Sequence, residues 1–512
     1  MTVYNINLGI GWASSGVEYA QAYRARAFRQ AKIPAKFIFS DLILGNNIAD
    51  LTENIGFDDN QIIWLYNFFT DIKIAPSTFP LSSFLKQEEL LQRGFKVQNG
   101  SESKEVRYQS DQEALTIIPR YSDRQKQTID QVSYVANNLL IKRDFYSYTK
   151  YATEYYSGDT KGNHVIFREF YNEDDSTAYT QHLDSNNQEL FEFPQQYFYT
   201  KTDLYREMLR QLDFKATDTI ILDRMDEDKQ LINGPLVFAH HGQAKLFVAV
   251  HADHYDKHYT NEHQVLWNNF YEYQFTHYND VDCFIVATDQ QRQLLGEQFK
   301  HYYHVQPQIA TIPVGSLSKL IKPTEQRKKH SLITASRLAN EKHIDWLISA
   351  VVAARKVISD VTLDIYGAGG QAGRLQELIK KNHADNYIKL MGQHDLSQVY
   401  QRYETYIAGS TSEGFGLSLL EAVGSGLSMI GFDVPYGNQT FIDDQQNGYL
   451  LPYEEDWSNV KKEKALTDAI IKTFSTADLT KFHEHSYALA EPYLTRNVAK
   501  QWQQLLKEDT HA

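Results

Sequence analysis

Only one cysteine, Cys283, stands among the 512 residues, so no disulfide can form within the chain. Stability must then come from packing and hydrogen bonds, and a reducing, cytoplasmic location is expected. Long apolar runs are missing as well. No stretch approaches the roughly 18 apolar residues that a membrane-crossing helix needs, so at most peripheral membrane association is expected. The N-terminus, Met1 to Asn7, carries no basic cluster ahead of an apolar core, and no signal peptide is expected. Positive charge is in short supply: 51 Lys and Arg face 65 Asp and Glu, a net charge of −14. That balance argues against a nucleic-acid partner held through its phosphates. Nor does any Asp-x-Asp triplet stand out as the chelator of a metal-bound diphosphate, and the acidic pair Asp58-Asp59 lacks the middle residue.

What is present has globular proportions, 42% hydrophobic and 23% charged. The length exceeds what one core organises, so more than one domain is expected. The most informative stretch runs from Gly409 to Gly426. Tyr406-Ile407-Ala408 ahead of it reads as a buried strand, and Leu417, Leu420 and Val423 recur behind it at helical spacing. Between strand and helix lie Glu413, Gly414, Phe415 and Gly416. Glycines there let the backbone approach a ligand, and the free amides that open a helix suit an anion or a polar sugar edge. Glu421 follows Glu413 by eight residues, so the two carboxylates can reach different parts of one extended ligand.

Two series of strand, glycine turn and helix bracket a different middle. Val3 to Leu8 reads as a strand running into a loop with Gly9, Gly11 and Gly16, the opening of a doubly wound sheet. The loop is not Gly-x-Gly-x-x-Gly, and no acid is placed for a ribose, which favours phosphate approach over NAD binding. Thr219 to Leu222 and Leu246 to Val250 read as buried parallel strands. The second of these ends in His251-Ala-Asp253-His254, whose spacing on an extended chain rarely converges on one metal ion. From Pro76 to Thr200 short aromatic and β-branched runs alternate with turns, which predicts an antiparallel β-meander. Tyrosine crowds it, at Tyr146, Tyr148, Tyr151, Tyr155, Tyr156, Tyr171, Tyr197 and Tyr199. Such a sheet either offers an aromatic outer face for protein docking or packs those rings on its own domain. A second βα series begins at Leu332. Arg337 and Lys342 follow it across a loop-to-helix junction, a planar fork and a point charge suited to a diphosphate leaving group.

Glu413-Gly-Phe-Gly-Leu with its second glutamate, and Arg337 to Lys342, resemble the signatures of retaining, nucleotide-sugar-dependent glycosyltransferases of family 4. That resemblance implies the GT-B architecture, an α/β fold of two Rossmann-like domains facing a cleft, here with the β-meander inserted. Residues 1–75 with 201–315 would form the first domain, 76–200 the insert and 316–490 the second domain. Residues 491–512 would form a helix crossing back to the first. Through Asn7 to Arg24, Phe57 to Gln61, the His251 region and Asp433 to Thr440, the chain is similar over essentially its whole length, least around residues 85–130, to the catalytic subunits that begin O-glycosylation of serine-rich repeat adhesins in Gram-positive bacteria. The resemblance implies transfer of N-acetylglucosamine from its UDP donor to Ser or Thr, without a cofactor or metal, beside a homologous partner subunit docked through the inserted sheet. In the implied site Arg337 and Lys342 stabilise departing UDP, Glu413 and His251 meet the sugar, and Gly16 reaches the phosphates. Gly414, Phe415, Gly416 and Leu417 offer backbone, Glu421 holds the ribose, and Gly392, Gln393 and His394 meet the uracil. UDP-glucose as donor, or a non-catalytic glycoprotein-binding subunit, are the alternatives.

Overall fold

The computed structural model describes residues 1–12, 16–98, 104–110, 112–159, 162–225 and 233–508. They divide into two compact units. The first comprises Met1–Ala25, Pro34–Val248 and Glu272–Asp282, and the second comprises Arg26–Ile33, Ala249–Tyr271 and Cys283–Ala512.

In the first unit, short runs of branched and aromatic residues form parallel strands buried on both faces, as their unbroken hydrophobicity requires. Thr219–Leu222 is buried at every position. Lys245–Val250, Thr219–Leu222, Val3–Asn7, Ala35–Phe39 and Ile62–Trp64 are parallel neighbours in that order. Polar groups at the strand ends are tied together beneath the surface. Arg24 donates to both carboxylate oxygens of Asp223 at 2.7 and 2.8 Å and to Asn5 Oδ1 at 2.9 Å, and Gln21 donates to Asp223 at 2.7 Å.

The insert forms an eleven-stranded antiparallel sheet from Lys96–Gln98 to Tyr197–Phe198, with Phe79–Pro80 pairing onto Thr128–Ala136. Its tyrosines do not share one outer face. Tyr146, Tyr151 and Tyr171 are 4%, 8% and 6% exposed, whereas Tyr197 and Tyr199 are 53% and 73% exposed. The reason is local. One face of the sheet has to cover the Ile62–Trp64 strand and the turn after it. Tyr151 meets Trp64 edge-on at 6.2 Å, Phe170 stacks on Tyr66 at 5.7 Å, and the Tyr179 hydroxyl donates to the Tyr66 carbonyl at 2.6 Å.

The second unit contains a six-stranded parallel sheet in the order Ile388–Gly392, Thr362–Tyr366, Ser331–Ala335, Thr405–Ile407, Ser428–Phe432, Gly448–Leu451. Numbered along the chain this is 3-2-1-4-5-6, the doubly wound dinucleotide-fold order. Its two faces are packed separately. Leu332, Leu363 and Ile365 face one cluster, and Ile333, Tyr406 and Met429 the other. The last helix, Thr495–Glu508, sets Trp502 edge-on against Phe28 at 5.1 Å.

Removing one partner of the buried Arg24–Asp223 pair would strand a charge in the core. Asp223→Ala should therefore lower unfolding free energy by about 3–5 kcal/mol, read by chemical denaturation.

Candidate functional site

The strand order of the second unit reverses between Ser331–Ala335 and Thr405–Ile407. A crevice for ligand opens at the carboxyl ends of strands at such a switch point. The segment after the first of these strands carries Arg337 and Lys342, and the segment after the second carries Glu413. The two segments are pressed together. A Cβ on Gly409 would lie 2.8 Å from the His343 carbonyl oxygen and 3.0 Å from that of Lys342, so only glycine admits the turn. The Thr411 amide donates to the Glu341 carbonyl at 3.3 Å. The result is an ion pair, Lys342 Nζ to Glu413 Oε2 at 2.5 Å, with side chains only 15% and 21% exposed. Ser410 Oγ donates to the same oxygen at 3.4 Å.

Glu413 is also held through its backbone. Its amide donates to the Pro435 carbonyl at 3.0 Å, and the amides of Tyr436 and Gly437 donate to its carbonyl at 2.7 Å. The Tyr436 hydroxyl lies 3.4 Å from His254 Nδ1, and His254 Nε2 lies 2.7 Å from Gln298 Oε1. Burial pushes the His254 pKa down to about 4, so this histidine is a neutral strut. The grip of the 435–437 turn on Glu413 joins residues too far apart in the chain to show a spacing.

The other expected residues fall as follows. Arg337 is 74% exposed and pairs with Glu341 at 2.8 Å, one turn away from the Lys342–Glu413 contact. His251 stands at the carboxyl end of Lys245–Val250. Its amide donates to the Tyr271 hydroxyl at 2.9 Å, and a Cβ on Gly414 would come within 3.1 Å of its carbonyl oxygen. The rest of its cluster diverges, with Asp253 accepting from Ser412 Oγ at 2.6 Å and His254 entering the core. Among the described residues no group of three or more His, Cys, Asp and Glu is arranged to hold a metal. Asp280-Val-Asp282 does have the Asp-x-Asp spacing, but Asp282 accepts the Leu246 amide at 2.7 Å. A second such triplet, Asp226 to Asp228, lies outside the described residues.

Phe415 is buried edge-on against Phe441 at 5.1 Å, and Leu417 packs against the same cluster. Gly416 turns left-handed, φ 82°, into the Leu417–Gly424 helix. On that helix, burial pushes the Glu421 carboxyl up to about 7; a hydrogen bond from Tyr400 opposes the shift and the charge of Asp395 adds to it. Glu421 therefore neighbours the turn that carries Gly392, Gln393 and His394. There the Gly392 carbonyl accepts from the Gly367 amide at 2.8 Å, Gln393 is exposed, and His394 Nε2 donates to the Met391 carbonyl at 2.7 Å. Gly16 opens the Gly16–Ala31 helix in the first unit, and residues 13–15 of its loop lie outside the described ones.

Over residues 96–195 the chain matches the GtfA extended beta-sheet domain, and over residues 329–475 it matches glycosyl transferases group 1. It is 74% identical over 512 residues, the full length of both chains, to the UDP-N-acetylglucosamine–peptide N-acetylglucosaminyltransferase GtfA subunit of Limosilactobacillus reuteri subsp. suis. Among solved structures it is similar to the pneumococcal O-GlcNAc transferase GtfA in complex with UDP and GlcNAc. There the TM-score is 0.91 at 45% identity, covering 100% of this chain and 99% of that one. It is also similar to a chain of the GtfA/B complex, with TM-score 0.92, 50% identity and 99% of both chains covered.

A carboxyl whose folded pKa is raised favours the folded state most at low pH, and that contribution fades as pH rises from its ordinary value toward the folded one. For Glu421 the window is from 4.5 to about 7. The ligand-free chain should lose on the order of 2 kcal/mol of stability through this group between pH 5 and pH 8. Glu421→Gln should flatten that part of the profile, as measured by denaturant titration at each pH.

Proposed function

Because this chain belongs to the GtfA family of UDP-N-acetylglucosamine–peptide N-acetylglucosaminyltransferases, we propose that it starts O-glycosylation of serine-rich repeat adhesins. It transfers GlcNAc from UDP-GlcNAc to Ser and Thr hydroxyls with retention at the sugar carbon, in complex with the homologous GtfB subunit. One observation carries this reading: the Lys342–Glu413 contact at the carboxyl ends of the two strands that flank the switch point. A lysine there exchanges its carboxylate for the donor's diphosphate, and the freed carboxylate accepts hydrogen bonds from sugar hydroxyls. Arg337, exposed and paired with Glu341, swings onto the same diphosphate. Both cations then absorb the charge that grows on UDP as the glycosidic bond breaks.

Glu421 receives the ribose hydroxyls, and the 392–394 turn beside it receives the uracil. Backbone of Gly414, Phe415, Gly416 and Leu417 lines the sugar and phosphate, with His251 alongside Gly414. Two side-chain cations perform the neutralisation that a divalent ion performs elsewhere, so transfer proceeds without metal. Retention of Arg337, Lys342, Glu413 and Glu421 supports a catalytic subunit over a binding-only one. The full-length relatives, named for N-acetylglucosamine, support that sugar over glucose.

The inserted sheet is the surface for GtfB. Leu139 and Ile141 stand outward from it, 43% and 41% exposed. The single buried thiol suits a cytoplasmic site of action, and among the described residues no helix is long and apolar enough to cross a membrane.

Assayed with GtfB, UDP-GlcNAc and a serine-rich polypeptide, Lys342→Ala and Arg337→Ala should each stay folded and lose about 10²–10³ in turnover. The wild type should keep its rate in excess EDTA. Unchanged turnover in either variant would remove the assigned roles. Ile141→Lys should weaken GtfB binding roughly tenfold by titration, with UDP affinity unaltered.

A further inference from the structure

Beside Glu413, and within the second unit, lies a cavity of about 690 Å³, inside the usual range for ligand sites. Its walls are the loop of residues 253–269 and the segments 411–412, 433–436 and 453–455. Thr411 and Ser412, in the wall, immediately precede Glu413 in the chain, and Pro435 and Tyr436 are the residues that grip the Glu413 backbone. The cavity therefore adjoins the backbone that holds Glu413.

Its charge differs from that of the cationic pair. Asp253, Asp256, Asp433 and Glu455 line it against one lysine and one histidine, Lys257 and His258. Four carboxylates repel a nucleoside diphosphate, so the donor is not the occupant. They accept hydrogen bonds from hydroxyl and amide donors. Tyr255 and Tyr453, half-buried in the same walls, add flat apolar surface for small side chains. A polypeptide rich in hydroxyl groups and poor in acidic residues meets each of these conditions.

We infer that this cavity is the acceptor subsite, holding the serine-rich segment that surrounds the target hydroxyl and discriminating against acidic flanks. The inference rests on the transferase reading above and names the residues that select its second substrate. At the rim, His258 Nε2 lies 3.4 Å from Glu455 Oε1, with both side chains about two-thirds exposed, so changes there leave the core intact.

The test uses the full chain in complex with GtfB and two peptide sets, one neutral and serine-rich, the other with aspartates flanking the same serines. Glu455→Lys should raise KM for the neutral peptide about tenfold, leave KM for UDP-GlcNAc unchanged, and improve use of the acidic-flanked peptide relative to wild type. Asn269→Trp, which fills the cavity from an exposed position, should raise KM for both peptides. Peptide KM values unchanged in both variants would overturn the subsite. Absence of transfer by the wild-type complex would instead strike the transferase reading, and the subsite with it.

Discussion

Two opposite charges 2.5 Å apart, Lys342 and Glu413, sit at the hinge of the site, and most of what surrounds them keeps them there. Neither is fully buried, so the pair has modest net worth to stability. Its value is positional. Each partner holds the other's long side chain in place before any ligand arrives. In the proposed mechanism the donor brings an anion for the lysine and hydroxyls for the carboxylate, and so replaces one ion pair by two better-matched contacts. Little rearrangement remains for the moment of bond breaking, which is what electrostatic catalysis requires.

Holding the pair is a backbone task. The 341–343 turn lies against Gly409 because no side chain intervenes, and the 435–437 turn grips Glu413 from the other side through three amide hydrogen bonds. Behind Tyr436 stands His254, a histidine kept neutral by burial and anchored on Gln298. Residues from five separated stretches thus position one glutamate, two of them, Lys342 and Ser410, at its carboxylate. The same logic explains why Arg337 is less constrained. Its side chain is 74% exposed, and its partner Glu341 is 44% exposed.

Much of this was legible in the sequence because the relevant signals are local. The βα series of the second unit, the glycine corner at 414–416 and the spacing of Glu413 to Glu421 all lie within a few turns of chain. The antiparallel insert announced itself by alternation and turn residues. What escaped depends on which face a residue presents once sheets pack. Tyr151 and Tyr171 belong to strands whose alternation says that one face is apolar, yet not which face the Ile62–Trp64 strand will occupy. The Ser412–Asp253 and Tyr436–His254 contacts join residues more than 150 positions apart, and no periodicity records them.

The distribution of charge in the second unit separates the tasks of two substrates. Cations gather after the Ser331–Ala335 strand, where the proposed mechanism puts the anionic donor and its departing product. Carboxylates gather along the cavity lined by Thr411, Ser412, Pro435 and Tyr436, the subsite inferred above for a neutral chain. A uniformly basic cleft would hold UDP too well and attract acidic polypeptides; a uniformly acidic one would reject the donor. Glu413 stands at the boundary, paired to a cation on one side, while its chain neighbours Thr411 and Ser412 line the carboxylate-rich cavity on the other. The net charge of −14 is then compatible with an anionic donor, because binding depends on the local field of two side chains rather than on the whole chain.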